Sequence, residues 1–148
     1  MFGAALMAVV GCGGSYATQA RRGLYIAGET FVTVDAIVAP RYTSASDEAV
    51  ESTDTLLEYH RLMAEWDQLA LTLRMIRASL LHSERMLDEY EETGKRLGWL
   101  ASVGCTIELF ENLFRDLRDV GIDPPEGVAT TAQVLKPFGG FCNERVEE

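Results

Sequence analysis

Cysteine, histidine and proline are scarce in this sequence, and long uncharged apolar runs are scarcer still. Three cysteines, at positions 12, 105 and 142, are too few and too scattered for a zinc ribbon or a disulfide-dense scaffold. The two histidines, His60 and His82, belong to neither an HExxH nor a carboxylate-x-x-His pattern, so no zinc or di-iron ligand set can be assembled. Each falls beside an apolar stripe, which makes it a boundary or exposed residue. There is no G-x-S-x-G elbow, P-loop or G-x-G-x-x-G, and Gly11-Cys12-Gly13-Gly14 lacks the lysine and the strand-to-helix setting of a phosphate loop. The sequence therefore offers no catalytic, metal-ligating or cofactor-binding residues. Basic side chains are also short: 13 Lys+Arg against 23 Asp+Glu leave a net charge of −10, the opposite of the footprint that nucleic acid demands. No uncharged apolar run approaches the ~20 residues needed to span a bilayer. Period-two alternation is almost absent, which argues against a sheet.

What the chain does have is length and apolar spacing. Its 148 residues, 47% hydrophobic against 24% charged, suffice for one domain with a filled core. Ala17, Ala20, Leu24, Ala27, Phe31, Val34 and Val38 recur at alternating intervals of three and four, a heptad stripe on one helix. Ser15 is placed to cap it, and Pro40 is expected to interrupt or kink it by removing a backbone donor and restricting Ala39. Residues 41–55 are small and polar and read equally as exposed helix or connection.

A longer stripe follows at Tyr59, Leu62, Trp66, Leu69, Leu73, Ile76, Leu80, Leu87 and Tyr90, interrupted by Ser83; it predicts a helix over about 53–92, stopped at Thr93-Gly94-Lys95. Its acidic end, Asp88-Glu89-Tyr90-Glu91-Glu92, stands where the helix dipole prefers cations. The third stripe comprises Leu100, Val103, Ile107, Phe110, Phe114 and Leu117, widened by Leu109 and Leu113 and closed by Gly121. Asp123-Pro124-Pro125-Glu126 predicts a helix start with Asp123 as N-cap and Pro124 in the first position, leading to a short helix ending near Lys136. Phe138 and Phe141, around Gly139-Gly140, are expected to seal the bundle end. Trp66 and Trp99 are read as core anchors. The fold class is all-α, an elongated antiparallel bundle of three long coiled-coil-like helices plus a short C-terminal helix, spanning 17–142 with a frayed tail at 143–148.

The N-terminus carries a different signal. MFGAALMAVVG is an uncharged apolar stretch ending in Val9-Val10-Gly11-Cys12 and followed by Gly13-Gly14-Ser15. It resembles the lipobox of bacterial lipoproteins, an aliphatic and two small or aliphatic residues before an invariant cysteine. The positive charge usual before such a run comes here from the Met1 amino group or from residues upstream of it. The resemblance implies that residues 1–11 are a removed signal peptide, that Cys12 receives diacylglycerol on sulfur and an acyl chain on its amino group, and that residues 12–16 tether the domain to a lipid bilayer. Gly13 in place of an Asp implies the outer membrane, with the domain in the periplasm.

Setting Cys12 aside leaves Cys105 and Cys142, an even pair in an oxidising compartment, and a disulfide is the economical reading; its loop of roughly 37 residues stabilises by ~3–4 kcal/mol on a chain-entropy model. Two buried thiols are the alternative. Charge is divided as well: through Ser46, Arg21, Arg22 and Arg41 offset Glu29 and Asp35, so the acidity belongs to residues 47–148. These features point to a non-catalytic envelope lipoprotein whose bundle is a spacer or an interaction module for a protein partner or for itself, with no nucleic-acid partner. A phage-encoded lipoprotein, a soluble helical virion or cytoplasmic protein without lipid, and an enzyme with a pocket hidden in the bundle are the other readings.

Overall fold

The structure, a computed structural model, describes residues 12–94 and 98–142, with side chains from Tyr16 onward. The stretch expected to be a signal peptide, residues 1–11, together with Lys95 and the expected frayed tail 143–148, lies outside the described residues. The described chain folds into four α-helices and one 3₁₀-helix: α1 Cys12–Ser52, α2 Leu56–Thr93, α3 Trp99–Asp119, α4 Glu126–Leu135 and the 3₁₀-helix Lys136–Phe141. The all-α expectation holds. The lengths are unequal: 41, 38, 21 and 10 residues for α1 to α4, so two helices are long and the third is about half their length.

α1 overturns one of the two effects expected of Pro40, an interruption, and resolves an ambiguity. It runs through Pro40 without ending and takes in 41–52 as helix. Pro40 and Ala36, whose carbonyl loses its partner there, are both exposed, so water meets the lost hydrogen bond and the interruption costs less than it would in a core. The chain reverses at 53–55. Thr55 caps α2, its hydroxyl accepting the Glu58 N–H at 3.3 Å, while the Glu58 carboxylate reaches back to the Asp54 N–H at 3.3 Å. This is a capping-box arrangement on Thr-x-x-Glu. α2 ends as predicted at Gly94, whose φ of 69° and N–H bond to the Tyr90 carbonyl close the last turn.

The start of α4 is corrected too. Asp123 is not its N-cap; the helix begins at Glu126, with Pro125 in the cap position and no side-chain cap. A residue before proline is driven out of the α region, and Pro124 precedes Pro125, so Pro124 cannot be the first helical residue that Asp123 would have capped. α3 instead terminates at Gly121, φ 79°, with the Ile122 N–H bonded to the Leu117 carbonyl, and Ile122 is buried.

The α1 stripe is buried as read, with Phe31 half-buried at its edge. In α2 the sequence placed Leu62 inward, but Leu62 is exposed and Met63 is buried: a helix of 3.6 residues per turn drifts against a 3.5 repeat, and the buried line has moved one residue at this end. In α3, Val103, Ile107, Phe110, Leu113 and Leu117 are buried, whereas Phe114 stands at the surface under the Arg118 guanidinium. Trp99 is a core residue and Trp66 packs at the core margin. The central core reaches from Ala17 and Trp99 at one end to Val38 and Leu69 at the other. Beyond it, α1 and α2 continue as a two-helix arm, held by buried Ala49 and Met63, an edge contact of Tyr42 on Trp66, and bonds from Tyr42 to Asp67 and between Ser46 and Tyr59.

Candidate functional site

Cys12, the residue expected to carry lipid, and the disulfide fall at the same end of the described structure. Cys12 is the first residue of α1; one turn on, Tyr16 meets Phe138 edge-on at 6.0 Å, and Phe138 in turn packs on Trp99, which packs on Tyr90. Cys105 in α3 and Cys142, just past the 3₁₀-helix, form a disulfide with their Cα atoms 4.5 Å apart, as the sequence suggested. The bridge needs α3 and the 3₁₀ backbone in close contact. Gly104 supplies it, for a Cβ there would collide with the Phe138 carbonyl oxygen. Phe138 is fully buried and Phe141 packs against the core, so the expected seal is present. The Trp99 indole N–H inside this cluster is buried and finds no acceptor among the described residues.

The acidic end of α2 meets a cation from α1. Arg21 donates to Glu91 and to Asp88, each at 2.6 Å, which raises the Arg21 pKa above its already high value and lowers that of Glu91. The unfavourable placement of carboxylates near a helix C-terminus is thus relieved by a neighbouring helix. All three side chains are substantially exposed, so the pairs hold register more than they stabilise.

Polar residues that apolar spacing could not identify line the helix contacts. Thr72 donates to the buried Asp116 carboxylate at 2.6 Å, and hydroxyl pairs join Ser79 to Thr106 and Ser83 to Ser102. Ser83, the gap in the α2 stripe, is therefore satisfied by a partner on α3. Buried Thr30 on α1 bonds the Gly127 carbonyl and Thr131 on α4, and the absent side chains of Gly23 and Gly127 let the two helices approach. These groups are spent on one another and present nothing reactive to solvent.

His60 and His82 are both exposed on α2, 22 residues apart. Among the described residues, no group of three or more His, Cys, Asp or Glu side chains is placed to hold a metal ion, and no helix is long and apolar enough to cross a membrane. The concave features are open clefts. Two share Leu24, Tyr25 and Glu84, and a third, of about 400 Å³, lies further along between Phe31, Val38, Tyr42, Leu73 and Arg74; all follow the α1–α2 seam. The arm ends in a second exposed apolar group, Val50 with Leu56 and Leu57, the leucines 72% exposed. Its carboxylates Asp47, Glu48, Glu51, Asp54 and Glu58 have no Lys or Arg among them. The described residues thus present open clefts along the seam and an exposed apolar and acidic tip on the arm. No family model matches the chain, and neither a curated protein nor a solved structure matches it.

Proposed function

We propose that this chain is a non-catalytic envelope lipoprotein, anchored in the outer membrane through an acylated Cys12, whose helical body in the periplasm is a spacer and a protein-interaction module. The observation that carries the reading is the continuity of α1: it starts at the candidate lipid site and runs 41 residues, about 60 Å at 1.5 Å per residue, to the tip of the arm. A lipid on Cys12 would pass directly into a stiff element with its far end held well away from the headgroups. The bundle is read as elongated, antiparallel and coiled-coil-like. Residue partners across α1 and α2 run in opposite order, Ser46 with Tyr59, Tyr42 with Asp67 and Arg21 with Asp88, which supports that reading. The near-neutral first 46 residues suit the membrane-proximal position, and the acidic remainder is repelled by anionic lipid.

Metabolic labelling with a tagged fatty acid, read with the intact mass, tests it. The wild-type chain is expected to carry label and to begin at Cys12, and Cys12→Ala to carry none. An unprocessed chain beginning at Met1 in the soluble fraction, or equal label on both chains, overturns the reading.

A further inference from the structure

The side of the α1–α2 seam that α4 does not cover carries exposed apolar and charged side chains. Gly23 and Thr30 mark the α4 side of α1. Tyr25 and Val32, two residues on from each, lie about 200° round the helix, and they are 68% and 65% exposed. Leu81 on α2 is 55% exposed. The pairs Tyr42–Asp67 and Arg21–Asp88 set the level of one helix against the other. One heptad inward from each, Asp35 stands level with Arg74, and Gly28 stands level with Leu81. Asp35, Arg74 and Arg77 line one cleft; Arg22, Tyr25 and Glu84 line another. Among the described residues, none of Arg22, Asp35, Arg74, Arg77 and Glu84 has an ion-pair partner.

We propose that the occupant of this face is a second copy of the chain, related by a two-fold axis that runs along the seam. Such an axis keeps every level and exchanges α1 with α2. It lays α1 of one protomer on α2 of its partner, antiparallel, and the pairing is complementary at each level. Asp35 of one copy faces Arg74 of the other, with Arg77 about one turn along, and Arg22 lies about one turn from the level of Glu84, within reach of long side chains. Leu81 enters the hollow over Gly28, where nothing lies within 4 Å of a Cβ, between the exposed Tyr25 and Val32. Ala39 and Ala70, small residues lining the cleft of Asp35 and Arg74, let the helices close. An axis across the helices would set α1 on α1 and lose these pairings. From residue 21 to 43 the face is about 33 Å long and two helices, about 20 Å, wide; that footprint of roughly 700 Å² per copy approaches the ~800 Å² per partner of a stable interface. The two-fold also leaves both Cys12 residues at one end, so both copies suit one membrane. Only that last point rests on the lipoprotein reading.

Sedimentation equilibrium on the full chain, in density-matched detergent where it carries lipid, tests the pairing. The wild type and Cys12→Ala are both expected to be dimers. Leu81→Glu and Asp35→Arg are each expected to weaken association about tenfold or more with helicity unchanged, and with a melting temperature equal to the wild type's at dilutions where both are monomeric, since both sites are exposed in the single chain. The double exchange Asp35→Arg with Arg74→Asp is expected to recover most of the loss. A monomeric wild type, a Leu81→Glu chain that associates normally, or a double exchange no better than Asp35→Arg alone overturns the proposal. Association lost in Cys12→Ala also overturns it, because the lipid and not the seam would then be holding the copies together. A dimer that persists in a chain never lipidated would leave the pairing standing and the anchor refuted.

Discussion

Gly104 is the residue on which the disulfide-bearing end of the bundle depends most directly. The Phe138 carbonyl occupies the place of a Cβ, and backbone, unlike the end of a flexible side chain, has no cheap way to yield. Gly104→Ala is expected to destabilise by about 2–3 kcal/mol, seen as a lower midpoint in chemical denaturation, whereas Gly140→Ala, with open space at its Cβ, is expected to leave the midpoint unchanged. Equal behaviour of the two would show that the close approach is not strained by a methyl group. No sequence signal separates these glycines: the one that matters is selected by a chain segment 34 positions away. The same is true of Ser83. Its place in an apolar stripe is a defect in the sequence and a bonded pair with Ser102 in the fold, because burial is tolerable only where a partner is supplied.

At the scale of elements, the helices were legible where apolar spacing and local chemistry agreed. Gly94 stops α2 and Gly121 follows α3 because a left-handed residue closes a helix end, a local requirement visible from residue type. Thr55-Leu56-Leu57-Glu58 carried an equally local start signal for α2, and a search for capping boxes would have found it. Pro40 and Asp123 misled for opposite reasons. The effect of Pro40 depends on whether water reaches the freed carbonyl, a tertiary matter, whereas the second proline at 125 was available to rule out Pro124 as a helical residue. The disulfide ties the short 3₁₀-helix to α3 across a separation of 37 residues. Replacing both cysteines (Cys105→Ala with Cys142→Ala) is expected to cost ~3–4 kcal/mol in denaturant titration under oxidising conditions, and adding a reductant to that variant should change nothing further. A wild type whose midpoint does not respond to reduction would mean that packing of Phe138 alone holds this segment.

The whole molecule is divided into a four-helix base and a two-helix arm, and this division sets where it should be mobile. Core packing ends near Val38 and Leu69, and the arm beyond has Ala49 and Met63 as its buried apolar pair. With less apolar area buried per residue, local opening costs less there. Amide hydrogens of residues 43–52 and 56–66 are therefore expected to exchange at least about tenfold faster than those of 76–87 and 103–113 in hydrogen-exchange mass spectrometry. Uniform protection along α1 and α2 would contradict the division. An arm that opens locally while its base stays closed suits a surface that must adapt to what it meets.

By itself the amino-acid sequence determined the class and the raw elements: heptad spacing demands helices, the near absence of period-two alternation argues against strands, and the excess of carboxylates fixes a net charge of −10. Those follow from composition and from periods of a few residues, which act within one turn or over the whole surface at once. Tertiary structure alone decided which polar residues are satisfied, which glycines are obligatory, and where the acidic end of α2 finds its cation in Arg21. It also decided that one face of the α1–α2 pair is covered by α4 while the other is left uncovered by the described residues. The reason is distance along the chain: each depends on groups tens of residues apart meeting within a few ångströms, and a stripe records which side of a helix is apolar without recording what comes to cover it.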